Sequence, residues 1–527
     1  MNIKTLLTLC LTPAAILFGQ VAKAEIELTT IGRYNTGIFD DSAAEISAFD
    51  PKSKKLFVTN AATDQIDVLN LIDPANPELE FSIDVENGIN SVAFHGGVLA
   101  AAVEGNTKQD LGEVRFYDAT GNLLNSVSVG SLPDMVTFTP DGLKVLTANE
   151  GEPSEDYKID PEGSVSIIDI STGIENATVT TAAFTALNNV ELDKSVRVFG
   201  LEATLAEDVE PEYIAVSSDS TMAWVTLQEA NAIGVVDIVA GEIIDVIGLG
   251  FKDYSQSANR LDASNKDKEI NLANYDHLFG LYQPDAIAAY EVNGETYLIT
   301  ANEGDSRVRP TDDDEIEGIE EGDIFDEESR IGNLDLDPTA FPNAEALQDK
   351  SVLGRLKVTN TMGDTDGDGD FDELYAFGGR SFSIWNTSGE IVFDSGSQFA
   401  YITAKLYPNN FNSTNDENAS FDNRSDDKGT EPEGITVGQI GDRHYAFIGL
   451  ERMGGIMVYD ITNPMAPFFV SYTNDRDFSG DAEAGTAGDL GPEGLLFIPA
   501  ADSPNGDNLL VVTSEVSGTV TVYSVTE

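Results

Sequence analysis

The chain has 527 residues, with 29 Lys and Arg against 92 Asp and Glu, a formal net charge of −63. A surface of that sign repels nucleic acid and anionic membranes and attracts cations, so divalent cations are the first class of partner to consider. One cysteine, Cys10, excludes a disulfide framework, and three histidines, His95, His277 and His444, in no metal-ligand spacing argue against a zinc centre.

In chain order, residues 1–24 read as a secretory signal: Lys4, an apolar run from Leu6 to Phe18, and Ala22-Lys23-Ala24, with cleavage after Ala24. The run is too short to span a bilayer, and no second long apolar run follows. The C-terminal TVTVYSVTE carries no hydrophobic tail. The expected product is a soluble monomer, secreted or periplasmic, that has shed Cys10 with the signal.

From Glu45 onward a two-strand hairpin recurs. Its clearest copies are PDMVTFTPDGLKVLTANEGE from Pro133 and PDAIAAYEVNGETYLITANEGD from Pro284, and others start at Glu45, Asn90, Glu212, Glu433 and Glu493. Asp141-Gly142 and Asn293-Gly294 predict two-residue turns with positive φ at both positions. A third strand follows each hairpin (IDVLN, VRFYD, VSIID, IGVVD, FSIWN, IMVYD, VTVYS), and then a more variable fourth. Four antiparallel strands repeated in this way predict an all-β, seven-bladed β-propeller. The last copy stops after its third strand, so Ile26–Arg33 is expected to supply the missing strand beside Val520–Tyr523. An eight-bladed count, with LKVT from Leu356 and ELYAF from Glu373 as a further hairpin, is the alternative. Residues 25–527 read as a single propeller domain, interrupted by insertions at 251–283, expected to carry a short helix, and at 304–372 and 405–431.

The repeat places acids at two recurring positions. First-strand starts carry Glu45, Asp134, Glu212, Asp285, Glu433 and Glu493; second-strand ends carry Glu104, Glu150, Glu229, Glu303, Glu451 and Glu515. In a propeller both positions lie on one face, which predicts an acidic channel mouth. Converging carboxylates raise one another's pKa unless a cation sits among them. Capping of each hairpin by its own acid is the alternative use. Arg307, Arg309, Arg380, Arg424 and Arg452 lie beside these hairpins and either neutralise the ring as ion pairs or hold an anionic substrate, with Arg307, Arg380 and Arg452 as the candidates for a catalytic role.

A second acidic motif is Asp364-Thr-Asp366-Gly-Asp368-Gly-Asp370-Phe-Asp372-Glu373. Alternating oxygen ligands with glycine at the sixth position suit a calcium loop. Tyr375 stands where the bidentate glutamate belongs, so Glu373 or an acid from another loop is expected to complete the shell. No nucleophile elbow, P-loop or dinucleotide fingerprint appears.

Several stretches carry a resemblance to a known family: TTIGRYNTGIFDDSAAEI at 29–46, LPDMVTFTPDG at 132–142, ANEGEPSEDY at 148–157, GDTDGDGDFDELYAFGGRSFSIW at 363–385 and ERMGGIMVYDITNP at 451–464. The chain resembles the choice-of-anchor I family of secreted bacterial proteins, which is similar to the mesenchyme-specific cell-surface glycoproteins of echinoderms. The resemblance implies a propeller of the YVTN/quinoprotein-like class, and some relatives carry an alkaline phosphatase label. Two functions follow. One is a secreted, calcium-binding scaffold or binding module with a matrix or mineral ligand. The other is a calcium-dependent alkaline phosphatase or phosphoesterase acting at the acidic mouth.

Overall fold

Four-stranded antiparallel sheets dominate the computed structural model, which describes residues 26–311 and 319–526. The signal segment 1–24, and residues 312–318 of the acid-rich run, lie outside the described residues. Seven four-stranded sheets occur among the described residues. Six of them occupy 47–84, 89–131, 133–183, 211–248, 287–394 and 432–473. The seventh joins Pro492–Ile498, Asn508–Ser514 and Thr519–Thr526 to the N-terminal strand Glu27–Asn35. That strand runs antiparallel to Thr519–Thr526, with Thr30 opposite Tyr523 and Tyr34 opposite Val520.

The strand sequences follow their place in the sheet. Second strands such as Val98–Val103 (VLAAAV) and Lys144–Asn149 (KVLTAN) are almost continuously buried, because neighbouring sheets cover both of their faces. The fourth strand Glu78–Asp84 is largely exposed and correspondingly polar. An apolar cluster fills each contact between successive sheets. Leu146 and Val225 meet between the third and fourth, and Phe382 and Tyr459 between the fifth and sixth. Leu56 and Leu69 of the first sheet pack on Leu509 and Val522 of the seventh, so the last sheet returns to the first.

The innermost strands crowd together where the seventh sheet meets its neighbours. A Cβ at Gly434 would stand 1.8 Å from the carbonyl oxygen of Glu493, and one at Gly494 would stand 2.1 Å from that of Glu45. Neither position has room for a side chain.

Three expectations are corrected here. The segment 251–283 holds no helix; it contributes the strands Phe251–Asp253 and Leu278–Leu281. The stretches proposed as an eighth hairpin do not pair with each other. Lys357–Thr359 pairs with Glu328–Arg330, and Leu374–Ala376 lies parallel to Leu278–Leu281. The turn at Asp141-Gly142 is not a two-residue loop, since strands end at Phe138 and resume at Lys144 and only Gly142 has positive φ. Pro140 sets φ near −65° at the position before Asp141, which favours a longer turn built on Thr139 and Asp141. At Asn293-Gly294 both residues do have positive φ, as the two-residue turn requires.

The insertions do not hang free. Tyr254, Leu261, Leu278, Ile331, Phe341, Leu356 and Leu374 form their own apolar cluster, which draws 251–283 and 304–372 together. Buried ion pairs tie 304–372 to the segment before the fourth sheet: Arg197 to Glu327, and Arg307 to Asp208 and Glu210. Both guanidinium groups lie against the Phe199 ring, Arg197 4.0 Å and Arg307 4.7 Å from its centre.

Candidate functional site

A recurring backbone device positions the first-strand acids. Leu132, Glu210, Gln283, Glu431 and Gly491 all have positive φ. Each is followed by proline and then by an acid: Asp134, Glu212, Asp285, Glu433 and Glu493. In four of these repeats the pairing register slips just after the proline, between Pro133 and Val136, Pro211 and Ile214, Pro432 and Ile435, and Pro492 and Leu495. A bulge of this kind re-aims the side chain it carries. The second-strand acids arrive more simply. Glu104, Glu150, Glu303, Glu451 and Glu515 each follow the last residue of the strand, and Glu229 comes one residue later.

These two routes converge. Asn90, Asp134, Glu150, Glu212, Asp285, Glu433 and Glu493 line one cavity of about 170 Å³. Three carboxylate groups bring ligand oxygens within 4.8 Å of one another: Glu45/Glu493/Glu515, Asp285/Glu303/Glu433 and Glu303/Glu431/Glu451. Only Glu303 and Glu451 among the twelve predicted mouth acids form an ion pair among the described residues, with Lys428 and Arg452. Buried oxygens of Glu212, Glu229, Glu433, Glu451 and Glu493 have no hydrogen-bond partner. Capping of hairpins by these acids does not account for such oxygens.

The electrostatics follow from burial and like charge. Burial, reinforced by Glu451 and Glu493, pushes Glu433 well above the usual carboxylate range. Burial with Glu229 and Asp285 does the same to Glu212, and burial with Glu45 and Glu515 to Glu493. Burial raises Glu45 to about 8 against a bond from Ser42, with Glu515, Asp134 and Glu104 adding to the rise. Asp134 rises to about 6 through burial and then Glu104. Glu104, Glu150, Glu229, Asp285, Glu303, Glu451 and Glu515 are raised as well, burial being the first cause in each. A divalent cation among such groups would recover the cost of their burial.

One side of the mouth differs. A cleft of about 590 Å³ is lined by Lys108, Arg307, Arg309, Lys357, Arg424, Lys428 and Arg452 together with Glu152, Glu229, Asp305, Glu321, Glu328 and Asp427. It shares Asp305, Lys428 and Arg452 with an adjoining acidic cleft that holds Glu303, Glu433, Glu451 and Glu515. Burial opposes ionisation of Glu431, but Arg424, Arg452 and Lys428 hold it well below the usual carboxylate range. The group Glu303/Glu431/Glu451 therefore already has fixed cations: Lys428 Nζ is 2.8 Å from Glu303 and 3.5 Å from Glu431, and Arg452 Nε is 3.0 Å from Glu431.

Of the three arginine candidates, Arg452 lines both clefts and Arg307 lines the basic one. Arg380 lines neither; it donates to the backbone carbonyls of Asp262, Ser425 and Asp427. The loop at Asp364 contributes two groups that share Asp372, Asp364/Asp366/Asp372 and Asp337/Asp370/Asp372. Asp337 reaches it through the bridge between Leu336 and Phe371. Asp368 and Glu373 lie outside both groups. Asp368 accepts from the Asp370 amide, and Glu373 is held by the Tyr375 hydroxyl at 2.6 Å.

A family model for the choice-of-anchor I domain matches residues 45–464. The chain belongs to the choice-of-anchor I domain family. Among curated relatives of this choice-of-anchor I chain, Gigasin-3a of Magallana gigas is 33% identical over 191 residues, covering 34% of this chain and 67% of the relative. The mesenchyme-specific cell surface glycoprotein of Strongylocentrotus purpuratus is 28% identical over 286 residues, covering 49% of this chain and 35% of that protein. Among solved structures, the Cps50 (Swd1) β-propeller domain of Myceliophteria thermophila matches at 8% identity and a TM-score of 0.42, over 95% of this chain and 100% of that one. No helix among the described residues is long and apolar enough to cross a membrane.

Sequence reasoning on this choice-of-anchor I chain missed Glu210, Glu431 and Lys428. A usable signal existed for the first two: Glu-Pro-Glu occurs at 210–212 and again at 431–433.

Proposed function

We propose that the protein is an extracellular binding module that takes calcium at an acid-lined mouth, built as a seven-bladed β-propeller with Glu27–Asn35 completing the last blade. The observation that carries this reading is the set of buried carboxylate oxygens without partners on Glu212, Glu229, Glu433, Glu451 and Glu493. An unsatisfied buried carboxylate is costly, and a hard cation with oxygen ligands removes that cost. Glu45/Glu493/Glu515, which has no ion-pair partner among the described residues, is the group best suited to it; Asp285/Glu303/Glu433 follows, with Lys428 pairing Glu303 alone, and the third close group is neutralised by Lys428, Arg424 and Arg452. The loop Asp364–Asp372, joined by Asp337, is proposed as a separate calcium site of the insertion. Similarity to a cell surface glycoprotein supports the extracellular location, and the acidic surface supports a cation as partner.

Calorimetric titration of the chelator-treated mature chain with calcium tests the reading. Saturable uptake that falls in the double variant Glu433→Gln, Glu493→Gln supports the mouth site. Uptake unaltered by that change, in a folded variant, rejects it. The same proteins assayed against a phosphoester panel decide between module and enzyme. Calcium-dependent turnover that drops about a hundredfold or more in the double variant would replace the binding module by a phosphoesterase.

A further inference from the structure

The positive charge of this chain is not spread around the carboxylate mouth. Across the sequence, acids outnumber Lys and Arg by 92 to 29, yet seven Lys and Arg side chains face six carboxylates in the basic cleft. Were these cations present only to neutralise the mouth, they would be distributed among its acids. Instead Glu45, Asp134, Glu150, Glu212, Asp285, Glu433, Glu493 and Glu515 form no ion pair among the described residues. The basic groups gather on one flank, where the cleft is far larger than the contacts among their own side chains need.

Several donors there are unspent. Arg307 and Arg309 are 3% and 6% exposed, and the Nε of each lacks a hydrogen-bond partner. Arg452 gives Nε to Glu431 and Nη1 to Asn415, leaving Nη2. Arg424 gives Nε to Glu431 and places Nη1 3.1 Å from Asp427, again leaving Nη2. Guanidinium forks of this kind match the oxygens of phosphate or sulfate better than any neutral group.

We propose that this cleft binds the oxyanion of a ligand, a phosphate or sulfate ester group, beside the cation held by the neighbouring carboxylates. The inference rests on the calcium reading above for the second half of that statement. Asp305, Lys428 and Arg452 belong to both clefts, so one ligand can touch the basic wall and a cation bound at Glu303 and Glu433 together. The expected ligand class is thus an anionic ester taken up with calcium.

The test is calorimetric titration of the mature chain with phenyl phosphate and, separately, phenyl sulfate, each with calcium and with chelator. Saturable binding of either ester, strengthened by calcium and weakened by added salt, is the expected result. Lys357→Gln and Arg452→Gln should each weaken it by about tenfold or more, the scale of a charge-assisted hydrogen bond. Both side chains are partly exposed, so folding should survive, and circular dichroism checks it. Lys55→Gln, which removes the partner of Glu80 outside the cleft, should leave binding unchanged. Failure of the wild-type chain to bind either ester, or equal binding by the two folded cleft variants, overturns the proposal. Ester binding with no calcium uptake in the same preparation would overturn the calcium reading and leave the basic cleft standing. Calcium uptake with no ester binding would do the reverse.

Discussion

Replacing Glu45 by Gln should change stability in opposite directions with and without calcium. Glu45 belongs to a close group with Glu493 and Glu515, and its carboxyl is raised from 4.5 to about 8. A carboxyl raised by folding favours the folded state below the unfolded value and loses that advantage as pH climbs. The metal-free protein should therefore lose stability between about pH 4.5 and pH 8. The gap of about 3.5 between those two values corresponds to on the order of 5 kcal/mol. Partial exposure of Glu45 screens some of this, leaving a few kcal/mol. Gln keeps the shape and cannot ionise. In chelator at pH 9 the variant should be the more stable protein by a few kcal/mol, and at pH 5 by less than about 1 kcal/mol. In calcium at pH 8 the order should invert, because a ligand has been lost. Thermal unfolding at pH 5, 7 and 9 with each additive reads all of these. The exposed Glu78, changed to Gln, controls for net charge. A Glu45→Gln protein no more stable than wild type at pH 9 in chelator would refute the reasoning.

The insertion loop should contribute its own part of the calcium response. A site filled at a hundredfold excess over its dissociation constant adds about 2.7 kcal/mol, and Asp364→Ala with Asp366→Ala should remove that part of the melting shift while leaving the mouth's share. Arg197→Met leaves Glu327 buried without its cation and should cost about 3–5 kcal/mol in denaturant unfolding; Arg197→Met with Glu327→Leu should recover much of it. Deleting residues 27–35 exposes the edge of Thr519–Thr526 and should produce concentration-dependent aggregation, read by light scattering, at temperatures where the parent is monodisperse.

Much of this arrangement was legible because the repeat is local. Strand periodicity located the four strands of each sheet, and the missing last strand pointed to the chain's start. Acids at strand ends were legible for the same reason, since a recurring position in a recurring unit maps to one place in space. What escaped was non-local. Lys428 pairs with Glu303 across 125 positions, and Arg197 pairs with Glu327 across 130. No periodicity links such residues. The 251–283 insertion forms strands rather than the expected helix because Tyr254, Ile331 and Leu374 share a core that only the fold assembles. The Asp141-Gly142 turn was misjudged because Pro140 dominates its geometry, while Asn293-Gly294, with no proline, behaves as its dipeptide suggests.

The backbone at the mouth gives an argument that does not depend on charge. Leu132, Glu210, Gln283 and Glu431 adopt positive φ without being glycine, each immediately before a proline and a ring acid. A left-handed conformation costs an ordinary residue roughly 1–2 kcal/mol, and here it recurs in unrelated side chains. Sheet formation does not demand it: the second sheet, which carries Asn90 in place of an acid, starts its inner strand at Ile89 with no such residue immediately before it. What the four non-glycine positions share with Gly491 is the outcome, an acid delivered to the same face. Strain kept at repeated positions, together with carboxylates left without partners, is a cost that the fold alone does not recover. A ligand bound to those acids would offset it, and the proposed cation is one that oxygen ligands suit.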